Sequence, residues 1–124
     1  MPARILIIEN HPDNRQLMAY LLEKHGYQVS LAGSGEEGIE LALRDGFDLI
    51  LCDIRMSGMD GYEVARRLKA DPKCRQIPLV AITALTWLDN RDDAIAAGFD
   101  GYISKAIAPR LFVQQVQGFL PGNE

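Results

Sequence analysis

Apolar residues fall in short blocks separated by longer stretches whose apolar positions recur every three or four residues. The first block is "ILII" at residues 5–8, followed by Leu17, Met18, Leu21 and Leu22 at helical spacing. Pro12 suits the first turn of that helix, Asp13 favours its positive end and Gly26 stops it. "YQVSLA", residues 27–32, alternates like a half-buried strand, and Ser34 with Glu37 has the spacing of a capping box opening a second helix that closes at Asp45 and Gly46.

The block "FDLILCD", residues 47–53, is apolar enough for a strand covered on both faces, as parallel strands are. Asp60 and Glu63 repeat the capping-box spacing before "YEVARRLKA", which "DPK" breaks. "IPLVAIT", residues 77–83, predicts a fourth strand, and residues 87–97 a fourth helix ending at Gly98. "GYIS", residues 101–104, is the fifth strand, and a helix after Pro109 carries Leu111, Phe112, Val116 and Phe119. Five strands alternating with five helices imply an α/β fold, a doubly wound parallel sheet with right-handed crossovers and helices on both faces. Ligands of such sheets bind at the carboxyl ends of the strands, where strand order reverses.

Composition narrows the setting. A chain of 124 residues is expected to form one domain over residues 1–124, long enough to bury roughly two thirds of its unfolded surface without metal or disulfide staples. Its net charge is -4, with 17 acidic and 13 basic residues interspersed, so no basic tract points to nucleic acid or an anionic membrane as direct partner. No run approaches the roughly 20 apolar residues of a membrane span, and "MPARILII" is too short for a signal peptide. Cys52 closes an apolar run and should face the core, whereas Cys74 falls in a polar loop. Neither has a CxxC or Cys/His partner, which fits a reduced, cytosolic protein.

The candidate chemistry collects at the strand ends. Glu9 and Asn10 follow the first strand, Asp53 ends the third, Thr83 ends the fourth, and Ser104 and Lys105 follow the fifth. Acid, hydroxyl and ammonium converging on one edge are the groups that a hard cation and a phosphoryl group require. Asp53 is placed as a carboxylate nucleophile, Glu9 as an oxygen donor to Mg2+, Lys105 as a point charge beside Asp53 and then a phosphoryl oxygen, and Thr83 as a hydroxyl donor. His11, in the turn before Pro12, reads as a capping or surface residue ahead of a metal ligand. Trp87 reads equally as a packing residue or a partner anchor. The acidic residues of "DNRDD", 89–93, read as a solvated helix start.

The motifs "ILIIENHPDN", "DLILCDIRMSGMDGYEV", "IPLVAITAL" and "AGFDGYISK" resemble, in order and spacing, the receiver domain of two-component response regulators, across essentially the whole chain. The resemblance implies a flavodoxin-like, chemotaxis-receiver-like fold with strand order 2-1-3-4-5. It also implies phosphoryl transfer to Asp53 from the histidine of a partner histidine kinase or histidine phosphotransfer protein, with Mg2+. Thr83 and Lys105 would then sense the phosphoryl group, and Tyr102 would be the aromatic that moves with Thr83. The metal would be gathered by Glu9, Asn10, Asp53 and the backbone carbonyl of Arg55. A downstream protein would dock on the fourth helix, fifth strand and fifth helix. Enzymatic activity would be limited to self-phosphorylation from phosphodonors and slow self-dephosphorylation.

Three positions depart from the family pattern. Asn10 stands where a second carboxylate is usual, which predicts weak Mg2+ binding. Ser57 replaces a proline in the loop after Asp53, and Ala106 replaces the proline after Lys105, so a trans Lys105–Ala106 peptide is expected. These departures leave open a second reading, a receiver that binds proteins without phosphorylation. Two other uses of the architecture fit less well: a flavin carrier lacks its Ser/Thr/Gly-rich loop in "ENHPDN", and a haloacid-dehalogenase-like phosphatase lacks its second aspartate where Arg55 stands. The length leaves no room for an output domain, so the sequence reads as a stand-alone receiver or a piece of a longer regulator or hybrid kinase.

Overall fold

The computed structural model describes residues 2–84 and 87–120, without the side chains of residues 87–90. The strands are β1 (Arg4–Ile8), β2 (Gln28–Ala32), β3 (Leu49–Asp53), β4 (Leu79–Thr83) and β5 (Gly101–Ser104). They alternate with helices α1 (Pro12–Lys24), α2 (Gly35–Arg44), α3 (Gly61–Ala70), α4 (Trp87–Ala97) and α5 (Pro109–Phe119). All four strand pairings are parallel, in the order β2-β1-β3-β4-β5. The expected flavodoxin-like, doubly wound sheet is therefore the fold observed.

The two-residue period of the strands sorts the core into two layers. Leu6, Ile8, Ile50, Cys52, Leu79 and Ala81 pack with Val64, Leu68 and Ala94 of α3 and α4. The alternate residues Ile5, Ile7, Leu49, Leu51, Val80 and Ile82 pack with Met18 and Leu22 of α1 and Phe112 and Val116 of α5. Each fully buried Ile or Leu contributes about 1.5–3 kcal/mol, and β3 and β4, buried along their whole length, carry no polar residue before their last position.

Several local expectations change. The third and fourth strands start two residues later than their apolar runs. Asp48 is turned to the chain start, its Oδ2 accepting from the Arg4 N–H at 2.8 Å, and Pro78 has no N–H to donate to a ladder. Both predicted capping boxes form by half. Ser34 Oγ accepts from the Glu37 N–H at 3.1 Å and Asp60 Oδ1 from the Glu63 N–H at 3.0 Å. The returning carboxylates go elsewhere: Glu37 to the Gly33 N–H at 2.6 Å, and Glu63 to Arg66 and Arg67. Leu17 and Leu111, grouped above with the apolar helix positions, are 40% and 53% exposed. Cys52 faces the core as expected. Cys74 is buried as well, because the Asp71 turn folds its Sγ to 3.5 Å from the Ala42 carbonyl oxygen. Gly26 and Gly98 end α1 and α4 at φ +90° and +118°, the left-handed region glycine tolerates.

Candidate functional site

Strand order reverses at β1, which has β2 on one side and β3 on the other, so the crevice at the carboxyl ends of β1 and β3 is the switch point of the sheet. Ile8 is in register with Cys52, so Glu9 and Asp53 emerge side by side from adjacent strands. Asp53 in turn is in register with Ile82, and Thr83 with Ser104, which brings Lys105 to the same edge. The ladder continues one step beyond the strands: the Glu9 N–H donates to the Ala32 carbonyl at 3.0 Å and the Lys105 N–H to the Thr83 carbonyl at 2.9 Å. Glu9, Asp53 and Lys105 thus start from main chain fixed by the sheet.

Glu9 and Asp53 are buried, while the Lys105 side chain is 21% exposed. Lys105 Nζ donates to Asp53 Oδ2 at 2.7 Å and lies 3.4 Å from Glu9 Oε1. Asp53 Oδ1 accepts from the Arg55 N–H at 3.2 Å, and Glu9 Oε2 from the His11 N–H at 3.0 Å. Glu9 Oε1 is buried with no hydrogen-bond partner. The 3.4 Å approach of Lys105 is an ion contact without hydrogen-bond geometry.

The charges feel this arrangement. Burial pushes the Glu9 carboxyl above its ordinary range and the Asp53 charge adds to the push, against the opposing His11 N–H and Lys105. Burial disfavours the Lys105 ammonium, but the hydrogen bond and charge of Asp53, with the charge of Glu9, outweigh it and hold the ammonium on to higher pH. Burial, with Asp53 beside it, pushes the Cys52 thiol well up, which makes it a core residue and not a nucleophile.

The remaining predicted residues take distinct places. Thr83 is buried at the end of β4, and Tyr102 on β5 is 41% exposed. Asn10 is exposed and lines a groove of ≈ 550 Å3 together with Arg55, Met56, Ser57 and Asp60. His11 occupies the N-cap position of α1 with no side-chain cap and is exposed. The Lys105–Ala106 peptide is trans, as are all peptides among the described residues. The side chain of Trp87 lies outside the described residues. Of "DNRDD", Arg91, Asp92 and Asp93 are exposed.

The donor set suits a small hard cation. An unpartnered buried carboxylate oxygen on Glu9, the Asp53 carboxylate and the Asn10 amide oxygen share one edge, all oxygen donors. Among the described residues no group of three His, Cys, Asp or Glu side chains is gathered for a metal, and the carboxylates that Lys105 contacts are those of Glu9 and Asp53. Two residues that sequence reasoning passed over also shape the edge. Arg15 Nη1 donates to the Glu9 carbonyl at 2.8 Å. Gly61 lies so close to the Asp53 carbonyl oxygen and to Ile54 Cα that a Cβ would overlap both. Arg15 gave no signal, being one more polar residue of an amphipathic helix. Gly61 was masked by the stronger cap signal of Asp60.

Comparison with known proteins bears on the family and the fold. Residues 5–117 match the model of the response regulator receiver domain. The chain is 40% identical over 107 residues to the response regulator PleD of Caulobacter vibrioides, covering 86% of this chain but 24% of PleD. It is 33% identical over 120 residues to the polar-differentiation response regulator DivK of Brucella anthropi, covering 97% of this chain and 98% of DivK. Among solved structures, chemotaxis protein CheY4 of Vibrio cholerae superposes with a TM-score of 0.93 at 25% identity, over 97% of this chain and 100% of that one. The receiver domain of the sensor histidine kinase PA1611 of Pseudomonas aeruginosa, with a magnesium ion coordinated in its active-site cleft, gives 0.87 at 28% identity, over 96% and 98%. With its matched span, its relatives and its strand order in agreement, the chain belongs to the response regulator receiver domain family.

Proposed function

We propose that this chain is a single receiver domain over residues 1–124 whose phosphoacceptor is Asp53, charged by a partner histidine kinase or histidine phosphotransfer protein. Phosphorylation-dependent signalling is the role that comes with the family. The observation that carries the assignment to Asp53 is the contact of 2.7 Å between Lys105 Nζ and Asp53 Oδ2, at the sheet's switch point, beside a buried and half-satisfied Glu9.

In this reading an Asp53 oxygen attacks phosphorus, the bond from phosphorus to the donor histidine nitrogen breaks, and the leaving imidazole keeps the electron pair. Lys105 first holds the Asp53 carboxylate in place and then meets the charge of the phosphoryl oxygens. Thr83, buried on the neighbouring strand, donates its hydroxyl to another of those oxygens. Glu9, Asn10, Asp53 and the Arg55 carbonyl would hold Mg2+, weakly because Asn10 is uncharged. The metal would neutralise charge on the transferring group. The Asp53 carboxylate, buried at the end of β3, is held by the Arg55 N–H at Oδ1.

The signal would leave through α4, β5 and α5, where Ile95, Tyr102 and Leu111 are 55%, 41% and 53% exposed. Exposed apolar side chains of this kind would suit a downstream protein, with Tyr102 following Thr83. The proposed location is the cytoplasm. Among the described residues no helix is long and apolar enough to cross a membrane. A phosphorylation-independent binding module is the second reading, favoured by the two-carboxylate edge.

Incubation with a small phosphodonor and Mg2+, followed by intact mass measurement, separates the two. One phosphoryl adduct on wild type and none on Asp53→Ala is the expected result. A wild type that stays unmodified under conditions that load a known receiver would overturn the first reading.

A further inference from the structure

We infer that Arg15 is a positioning residue for the carboxyl-edge site, aiming Asn10 and Glu9 by clamping the carbonyl between them; this rests on the functional reading above. Arg15 lies on α1, and its Nη1 donates to the Glu9 carbonyl oxygen at 2.8 Å. Glu9 is thereby held at three points: its N–H by the Ala32 carbonyl, its carbonyl by Arg15, and its Oε2 by the His11 N–H. The only polar atom of Glu9 left over is Oε1, facing Lys105.

The clamp matters most for the next residue. The peptide group joining Glu9 to Asn10 is planar, so fixing its carbonyl fixes the direction in which Asn10 leaves the strand. A charged carboxylate at position 10 would be drawn to a cation over several ångströms. The neutral amide of Asn10 has no such pull, so its aim depends on the main chain that carries it.

A second observation, on a different element, points to the same guanidinium. A Cβ built on Gly33, after β2, would stand 3.0 Å from Arg15 Nη1 and 3.7 Å from its Cζ. The missing side chain at Gly33 is therefore the space in which the guanidinium lies. Glu37 Oε1, which accepts from the Gly33 N–H at 2.6 Å, would be 3.8 Å from that Cβ and borders the same space. Gly33 is not in the left-handed region, so alanine there changes the packing of Arg15 without straining the backbone.

The test is Mg2+ titration followed by backbone amide NMR, on wild type, Arg15→Ala, Arg15→Lys, Gly33→Ala and the Arg15→Ala/Gly33→Ala double variant, with melting temperatures recorded alongside. Residues that orient metal ligands typically change affinity about 10–100-fold when removed, and Arg15→Ala should raise the Mg2+ Kd by about tenfold. Arg15→Lys, which keeps one donor in reach, should recover most of that loss. Gly33→Ala should weaken binding in the same direction. The double variant should be no weaker than Arg15→Ala, because both changes act through one guanidinium. An Arg15→Ala variant that melts lower but binds Mg2+ as wild type does would overturn the inference and leave a structural arginine. So would a double variant in which the two losses add. A wild type that binds no Mg2+ overturns the functional reading together with this inference, whereas failure in the variants alone overturns only the inference.

Discussion

Replacing Lys105 by methionine keeps the aliphatic stem and removes one positive charge from between two buried carboxylates. At an effective dielectric near 20, the contacts of 2.7 Å to Asp53 and 3.4 Å to Glu9 correspond to about 6 and 5 kcal/mol of attraction before any relaxation. The folded protein does not lose that much, because a proton can take the place of the ammonium. From the ordinary Glu value of 4.5, protonating one carboxyl costs about 3.4 kcal/mol at pH 7 and about 0.7 kcal/mol at pH 5, at 1.36 kcal/mol per pH unit. Protonation therefore caps the electrostatic loss, and Lys105→Met should destabilise the metal-free protein by about 2–3 kcal/mol at pH 7 and under about 1 kcal/mol at pH 5.

The sign follows from the direction of the shift. A carboxyl whose folded pKa lies above its unfolded value binds more protons in the native state, so its stability is intact below 4.5 and is lost as pH rises through the folded value. Glu9 is already shifted this way in the wild type, and removing Lys105 shifts it further. Urea denaturation with a chelator present, at pH 5 and pH 7, reads the difference between variant and wild type. Saturating Mg2+ at pH 7 should close much of the gap by restoring positive charge. An equal destabilisation at both pH values, untouched by Mg2+, would mean that Lys105 contributes by packing and that the two carboxylates are not electrostatically joined to it.

Two further outcomes follow from the same edge. Asn10→Asp should tighten Mg2+ binding on the order of tenfold while lowering the metal-free melting temperature, since one added charge causes both; calorimetric titration and thermal melts check the pair, and no change in either would remove residue 10 from the site. Gly61→Ala should cost about 1–3 kcal/mol or more in urea denaturation, because its Cβ would overlap the Asp53 carbonyl and stand 2.6 Å from Ile54 Cα, both main chain; a loss below about 0.5 kcal/mol would mean that the loop after β3 yields freely.

What the sequence revealed, and what it hid, divides along a physical line. The sheet was legible because β1, β3 and β4 are mainly Ile, Leu and Val up to a polar residue, β2 alternates, and the parallel crossover rule then carries Glu9, Asp53, Thr83 and Lys105 to one edge. Cap spacing was legible for Ser34 and Asp60, since those bonds span three residues. The partners of Glu37 and Glu63 were not, because several local donors lie within reach of a carboxylate and the spacing does not rank them. Cys74 looked solvated from its neighbours, but burial there depends on α2 arriving from 32 residues away in sequence. Arg15 was hidden for the same reason: its role depends on where its long side chain ends, against a carbonyl six residues back and a glycine in the loop after β2.

The missing carboxylate at residue 10 can be placed within this geometry. With Glu9 and Asp53 ionised, Lys105 answers two negative charges with one positive, leaving one unit of negative charge in a buried edge. That charge is not shared evenly. Lys105 gives its hydrogen bond to Asp53 and only an ion contact to Glu9, whose Oε1 has no donor and whose carboxyl is pushed upward. The unmet demand for positive charge is therefore concentrated at Glu9 Oε1. An aspartate at position 10 would double the surplus and spread it toward the groove, making the metal-free edge less stable and more attractive to a cation. With asparagine the edge holds together without metal around a single ammonium. The consequence for the proposed site is that occupancy by a cation should depend on how well Glu9 and the neutral Asn10 are aimed as well as on how much charge they bring.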